Sequence, residues 1–505
     1  MRFWNILAIA TCVVAATIPP RQSTNSTVGN AGITSDFDRA AAIKEAFVHS
    51  WEGYKKYAWG YDELLSVSNR GGNSRNGWGA SIADALSTAC LMELSEVVVE
   101  AIGFLAEVDF NTTATEVSLF ETTIRYLGGL LSGYDLLKGP YAHLVPEDKA
   151  YLVDRLLTQA VSLADRMSFA FDTPTGIPYN NLDFATNSSR DSSNGLATTG
   201  TLVLEWTRLS DLTGNPKYAR LSQRAQDYLL NPLPDAGQPF AGMLGTNIDI
   251  ASGRFLDSSG GWSGGTDSFY EYLLKMWIYS PSRFGSYASR WLLAADSTVE
   301  HLLQRPRRDT TFVAEYRDAA TLVPEEGHLT CFIGGNLALG GALLSSAKIR
   351  DAGLELTRGC RATYASTASG IGPERWAWSS PAPVEHQAFF AANGWYPTGT
   401  AYHLRPEVVE SYYHALLLTG DQKYKRWAWD AFVAINDACR TDSGYSSVED
   451  VMLPLGGEKT DFQESFWFAE VLKYLYLVFD DSEVSVQGGS GWVFNTEAHP
   501  LRVTE

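Results

Sequence analysis

Positive charge is scarce in this chain of 505 residues: 39 Lys and Arg stand against 58 Asp and Glu, a formal net charge of −19. So acidic a molecule repels phosphate backbones and anionic headgroups, which argues against nucleic acids and acidic membranes as partners. Long apolar runs are missing too. The stretch from Phe3 to Ala16 is interrupted by Asn5 and Thr11 and falls short of the about 20 residues that cross a bilayer. No low-complexity block, long linker or fixed helical repeat follows it, which disfavours a regular solenoid. Five cysteines show neither C-x-x-C nor mixed Cys/His spacing, so a zinc site has no signature. A P-loop, an H-E-x-x-H helix and an EF-hand loop are all absent. One motif match fails on context. Gly261-Trp262-Ser263-Gly264-Gly265 fits the serine nucleophile elbow, but its flanks are Gly- and Ser-rich loop where a strand-to-helix turn is required.

What is present is apolar and aromatic. Hydrophobic residues make up 45% and charged residues 19%, below the usual ~25%, so the chain can bury a large core. Aromatics reach 12%, with 15 Trp and 24 Tyr, and flat faces with polar tips serve sugar rings as well as cores. Met1-Arg2, the apolar stretch, Ala15, Ala16 and Pro19-Pro20 read as a secretory signal over residues 1–18. Residues 19–36 are a polar lead-in expected to be disordered, and 37–505 a single domain. Sequons at Asn25, Asn111 and Asn187 fit the secretory route. A soluble, secreted or vesicular protein without a stable membrane anchor is expected, with a monomer as the default. Cys12 leaves with the signal; Cys90, Cys331, Cys360 and Cys439 then allow three pairings that the sequence does not rank.

Helical periodicity dominates the rest. Apolar residues recur at i, i+3 and i+4 over 39–57, 81–105, 119–137, 146–171, 201–212, 217–230, 267–279 and 282–303, then over 336–347, 350–366, 407–418, 422–436 and 462–479. Few segments alternate with period two. Turns such as Thr213-Gly-Asn-Pro216 and Thr419-Gly-Asp421 join helices into hairpins, with Gly stopping one helix and Asn or Asp helping to start the next. Many such hairpins suggest a closed ring of helix pairs, an all-α fold around a central cavity.

Several of these helices carry acids where acids are expensive. Glu121 and Arg125 share a face inside Leu119–Leu131, which by itself fits an intrahelical ion pair. Ser268 with Glu271 reads as a capping box, which leaves Asp267 unexplained. Pro406 suits a first helical turn, and Glu407 and Glu410 follow it on one side. Glu464 and Glu470 lie in a strongly aromatic segment. Four such segments suggest one shared acidic pocket. Clustered carboxylates move one another's pKa, so one can stay protonated as an acid while another serves as base, the chemistry of glycosidic bond cleavage. A hard cation such as Ca²⁺ would relieve their repulsion through oxygen ligands and waters.

Together these segments resemble a known family. FETTIRYLGGLLSGYDLL (120–137), DSFYEYLLK (267–275), HLTCFIGGNLALG (328–340), LRPEVVESYY (404–413), ESFWFAEVLKYLYLVF (464–479) and VFNTEAHP (493–500) resemble the class I α-1,2-mannosidases, glycoside hydrolase family 47. The resemblance runs in order from about residue 39 to 500. It implies an (α/α)7 barrel of helix hairpins with a C-terminal β-hairpin plug, one Ca²⁺ at the pocket floor, and inverting release of terminal α-1,2-linked mannose from high-mannose N-glycans of the Man9GlcNAc2 type. By the same resemblance Glu121 is the acid, acting through a water, Glu407 the base, and Asp267 the third essential carboxylate. Thr496 binds Ca²⁺ directly and Glu464 through water. Arg125, Glu271, His328, Glu374, Arg405, Glu410, Phe466, Glu470 and Glu497 match substrate-binding positions, and Cys331 with Cys360 the family's disulfide.

Two departures shape the expectation. Gly265 stands where one-step trimming members carry a bulky basic residue, which implies broader trimming. The long anchor and stem of Golgi-type members is missing, which fits a fungal secreted type. Competing expectations are a mannose-binding lectin on the same barrel, a degradation-enhancing mannosidase-like protein, and another helical-toroid glycosidase acting on glucans.

Overall fold

Every residue of the helix Ala80–Leu91 is buried, and Phe332–Leu343 is buried from Phe332 to Gly341. Helices apolar on all sides need neighbours on all sides. By contrast Tyr151–Met167 buries only a stripe, including Leu152, Leu156, Ala160, Leu163 and Met167, and turns its polar face outward. The two kinds of helix form two rings in the computed structural model, which describes residues 35–233, 237–480, 484 and 491–504.

The inner ring consists of Ala80–Leu91, Gly128–Leu137, Val203–Thr213, Asp267–Tyr279, Phe332–Leu343, Glu407–Thr419 and Leu472–Phe479, each packed on the next and the last on the first. Their outer partners are Ser95–Leu105, Tyr151–Met167, Lys217–Leu230, Gly285–Ser297, Ala347–Ala365, Lys423–Cys439 and, closing the ring, the first helix of the chain, Asp36–Tyr57. Among the described residues, seven inner and seven outer helices make the closed ring of helix pairs that the periodicity suggests and the (α/α)7 barrel that the resemblance implies. The hairpin of Trp492–Phe494 and Pro500–Arg502 packs against the inner helices Gly128–Leu137 and Asp267–Tyr279, so its turn, which carries Thr496, reaches the interior.

The predicted turns are built as read. Gly214 and Gly420 end their helices with φ of 67° each, and Asn215 and Asp421 accept the backbone N–H of Lys217 and Lys423 at 3.1 and 2.9 Å. Other boundaries move. The segment 81–105 is two helices, because the chain turns from the inner to the outer ring at Glu93, which takes a φ of 52°. The segment 282–303 is helical as Gly285–Ser297, continues as a π-turn to Leu302, and becomes a strand at Leu303. The first helix begins at Asp36, capped by Ser35, one residue inside the expected lead-in.

Short antiparallel strands frame the connections between helices. Leu303–Arg307 pairs with Thr310–Val313, Glu315–Asp318 with Thr321–Val323, and Glu325–Gly327 with Arg375–Ala377, which also pairs with Tyr396–Gly399. Strands of three to five residues are too short to show alternation in the sequence. A disulfide joins Cys331, just before an inner helix, to Cys360 on its outer partner, while Cys90 and Cys439 are free and buried. Asn111 and Asn187 are exposed, as a glycosylated residue must be. Asn25, Cys12, the signal and nearly all of the lead-in lie outside the described residues. Among the described residues no helix is long and apolar enough to cross a membrane.

Candidate active site

Two of the key acids sit where inner helices begin. Asp267 is the first residue of Asp267–Tyr279 and Glu407 the first of Glu407–Thr419. Each carboxyl therefore sits at the positive end of a helix dipole. Glu121 ends the short turn Leu119–Glu121, capped by the Ser118 hydroxyl. After it the chain widens into a π-helical stretch, Thr122–Leu127, that carries Arg125; a second one, Trp467–Val471, carries Glu470. Such bulges re-aim side chains by a fraction of a turn and are frequent at functional sites.

All of these residues line one pocket of about 360 Å³, together with Glu271, Arg405, Glu410, Glu464, Phe466, Thr496 and Glu497. Its wall holds eight carboxylates against the three guanidinia of Arg75, Arg125 and Arg405. His328 and Glu374 instead border an adjoining groove, from which they hold Glu407 and Arg405. The structure thus brings together the residues matched from sequence, with those two one step back.

Each acid has a distinct environment. Glu121 accepts from Arg125 Nε at 2.8 Å and lies 3.5 Å from Arg75 Nε. Burial works against its ionisation, but the charges of Arg125 and Arg75 outweigh it and hold the carboxyl below its ordinary pKa. Arg125 is buried, also meets Asp84 and Glu497, and lies 5.6 Å from the centre of the Phe466 ring. Burial likewise opposes ionisation of Glu407. Its Oε2 lies 2.7 Å from His328 Nδ1, and that bond, with the charges of His328 and Arg405, brings its pKa below the ordinary value. Among the described residues Asp267 has only the Ser268 N–H at 2.8 Å and the Ser268 hydroxyl at 3.4 Å as hydrogen-bond donors. Burial, reinforced by the charges of Glu271 and Glu407, pushes its pKa up to about 7.

Deeper in, burial and mutual repulsion drive Glu410 and Glu470 well above the usual carboxylate range, and Glu497 rises with them despite Arg125. Glu464 is raised by burial. Glu271 pairs with Lys275, whose ammonium also donates to the Asn495 carbonyl at 3.0 Å. This corrects the capping-box expectation: the cap position is Thr266, without a side-chain cap, and Glu271 points to Lys275 four residues on. Glu374 accepts from Arg405 Nε at 2.7 Å and from the His403 N–H at 3.2 Å. Ser263 lies in a loop, as its flanks suggested, and no strand precedes it directly.

The floor is made by the turn of the C-terminal hairpin. The Thr496 N–H donates to the Tyr272 hydroxyl at 3.2 Å, and that hydroxyl donates to Glu205 Oε1 at 2.6 Å. Among the described residues no three His, Cys, Asp or Glu side chains form a direct metal cage. A cation here would therefore rely on oxygens such as those of Thr496 and on water, and the acidic wall suits a hard divalent ion.

Sequence reasoning missed Arg75, Asp84, Lys275, Lys473, whose ammonium donates to the Ala498 carbonyl in the hairpin turn at 2.6 Å, and Tyr364, whose hydroxyl meets His328 Nε2. Asp84 lies in a helix with no exposed residue, and Lys275 and Lys473 are buried in apolar helices. The criterion that found the acids, a charge in an apolar helix, would have found these three. Arg75 sits in a polar loop and carries no such signal.

With this geometry in place, residues 46–503 match the family described as glycosyl hydrolase family 47. The chain is 51% identical over 507 residues to the mannosyl-oligosaccharide α-1,2-mannosidase 1B of Aspergillus phoenicis, covering 99% of this chain and 98% of the relative. It is 52% identical over 472 residues to the mannosyl-oligosaccharide α-1,2-mannosidase of Penicillium citrinum, covering 92% of each. Among solved structures, the α-1,2-mannosidase from Trichoderma reesei superimposes with a TM-score of 0.91 at 47% identity, over 94% of this chain and 100% of that one.

Proposed function

The chain belongs to glycosyl hydrolase family 47 and is a glycosidase, and we propose that it removes terminal α-1,2-linked mannose from high-mannose N-glycans with inversion and with Ca²⁺ at the pocket floor. The observation that carries this reading is one pocket that gathers Glu121, Asp267 and Glu407 beside Thr496, with Glu407 fixed by His328. Glu407 is held ionised and Asp267 is held near a pKa of about 7. Two carboxyls pushed apart in this way supply a base and an acid at one pH.

In the proposed reaction Glu407 takes a proton from a water whose oxygen bonds to the anomeric carbon. The bond from that carbon to the glycosidic oxygen breaks on the opposite face, and the leaving oxygen takes up a proton. His328 Nδ1 lies against Glu407 and its Nε2 lies 2.7 Å from the Tyr364 hydroxyl, which fixes the ring and the base. Glu121, matched by resemblance to the acid, sits ionised between two guanidinia in the resting pocket. We therefore assign the stored proton to Asp267, with Glu121 placed to relay it through water. Arg125, Arg405, Glu271, Glu410, Glu470 and Glu497 orient the sugar hydroxyls, and the Phe466 ring supplies an apolar face.

Thr496 would hold the Ca²⁺ through its hydroxyl and carbonyl oxygens, with Glu464 among the acids reaching it through water. The ion would offset the acidic wall and gather sugar hydroxyls. Passage through the secretory pathway is supported by the disulfide. Proton NMR of the released sugar tests the stereochemistry: β-mannose is the expected first product, and α-mannose at early times would remove the inverting mechanism.

A further inference from the structure

Three cavities meet at the mouth of the pocket. Beside the catalytic pocket lies one groove of about 540 Å³ and another of about 310 Å³. Gly264 borders all three, while Ser263 and Arg375 border both grooves. The larger groove runs past Thr400, His403 and Glu449, and the smaller past Thr246, Ser259 and Arg317. Both volumes are within the range that holds a small ligand, and both walls are built of hydroxyls, backbone and charged planar groups suited to neutral polyols.

Arg375 stands between the grooves on a fixed base. Its strand is the middle one of three, so the backbone is held on both sides. Its Nε donates to Glu325 Oε1 at 3.0 Å and its Nη2 lies 3.8 Å from Glu315 Oε1, yet the side chain is 48% exposed. A guanidinium braced on one edge and open to solvent on the other is preorganised to donate to sugar hydroxyls on either side. Gly265, where the pocket wall turns toward the smaller groove, has a φ of 93°, and a Cβ there would meet only Thr246 Cγ2 at 3.7 Å, so the passage is unobstructed.

An exo-acting pocket holds one terminal sugar, and the remainder of the substrate must lie at the mouth. A single unbranched chain needs one groove; two grooves divided by a charged side chain fit two arms. We propose that Arg375 partitions the mouth so that separate arms of a branched oligosaccharide lie on its two sides, making it a specificity-determining residue that helps select which terminal sugar enters. This rests on the mannosidase reading above.

The test compares the parent protein with Arg375→Leu and Arg375→Lys on two substrates, the disaccharide α-1,2-mannobiose and branched Man9GlcNAc2. The Leu change should lower kcat/KM on the branched glycan about tenfold more than on the disaccharide, the scale of one hydrogen bond to a charged donor. It should also alter which isomers appear after the first cleavage, and Lys should recover part of both effects. An equal loss on the two substrates with the same isomer pattern would overturn the proposal. Melting curves show whether the Leu variant folds; if it does not, the Lys variant carries the same comparison. A parent protein that turns over neither substrate defeats the mannosidase reading itself, and this inference with it.

Discussion

His328 Nδ1 lies 2.7 Å from Glu407 Oε2, and the opposite ring nitrogen lies 2.7 Å from the Tyr364 hydroxyl. The base is thus fixed by an imidazole that is itself fixed. His328→Ala removes the hydrogen bond that lowers the Glu407 pKa, so the carboxyl stays protonated to higher pH. The acid limb of kcat/KM should move upward in pH, and kcat should fall on the order of 10²-fold, the usual weight of a general base. Tyr364→Phe keeps the imidazole and should cost less. An acid limb that stays in place in the Ala variant takes His328 out of this role.

Asp267 sets the alkaline side. Its pKa is raised to about 7 by burial and by Glu271 and Glu407, and the active form carries the proton. Activity is therefore present below that value and declines as pH rises through about 7. Asp267→Asn should reduce turnover by roughly 10²- to 10⁴-fold with the melting temperature largely kept. A kcat/KM that holds constant to pH 9 would show that the stored proton lies elsewhere.

The metal assignment turns on Thr496. Thr496→Ala removes one direct oxygen and should weaken Ca²⁺ affinity by calorimetry. In the parent protein, Ca²⁺ at about 100 times its Kd should stabilise the fold by about 2.7 kcal/mol through mass action. Unchanged affinity in the variant, or a melting curve indifferent to chelator, counts against a metal at the floor.

The Cys331–Cys360 bridge spans 29 positions and on the chain-entropy account stabilises by about 3.5 kcal/mol. Cys331→Ser with Cys360→Ser should lower the denaturation midpoint accordingly while leaving KM near the parent value, because neither sulfur lines the pocket. A large change in KM without a change in midpoint would mean the bridge serves the site directly.

Much of this was legible because it was local. Apolar spacing located the helix of Glu407 to within a residue of its ends, and the cost of burying charge marked Glu121, Asp267, Glu407 and Glu470 as unusual before any fold was known. What escaped was set by tertiary contacts. No residue type announces the π-turns that aim Arg125 and Glu470. Glu93 breaks a helix without Gly or Pro, because the ring requires a reversal there. Ser268 and Glu271 have capping-box spacing, yet the ion pair with buried Lys275 wins, since an unpaired ammonium at that depth would cost more than a cap contributes.

The most direct test is a time course of the purified protein with Man9GlcNAc2, with Ca²⁺ and with EDTA, read by mass spectrometry. Stepwise loss of hexose with Ca²⁺, continuing past the first mannose and stopped by EDTA, is the predicted result. Glycan retained on immobilised protein with no hexose lost under either condition would make this barrel a lectin and withdraw the roles given to Glu121, Asp267 and Glu407.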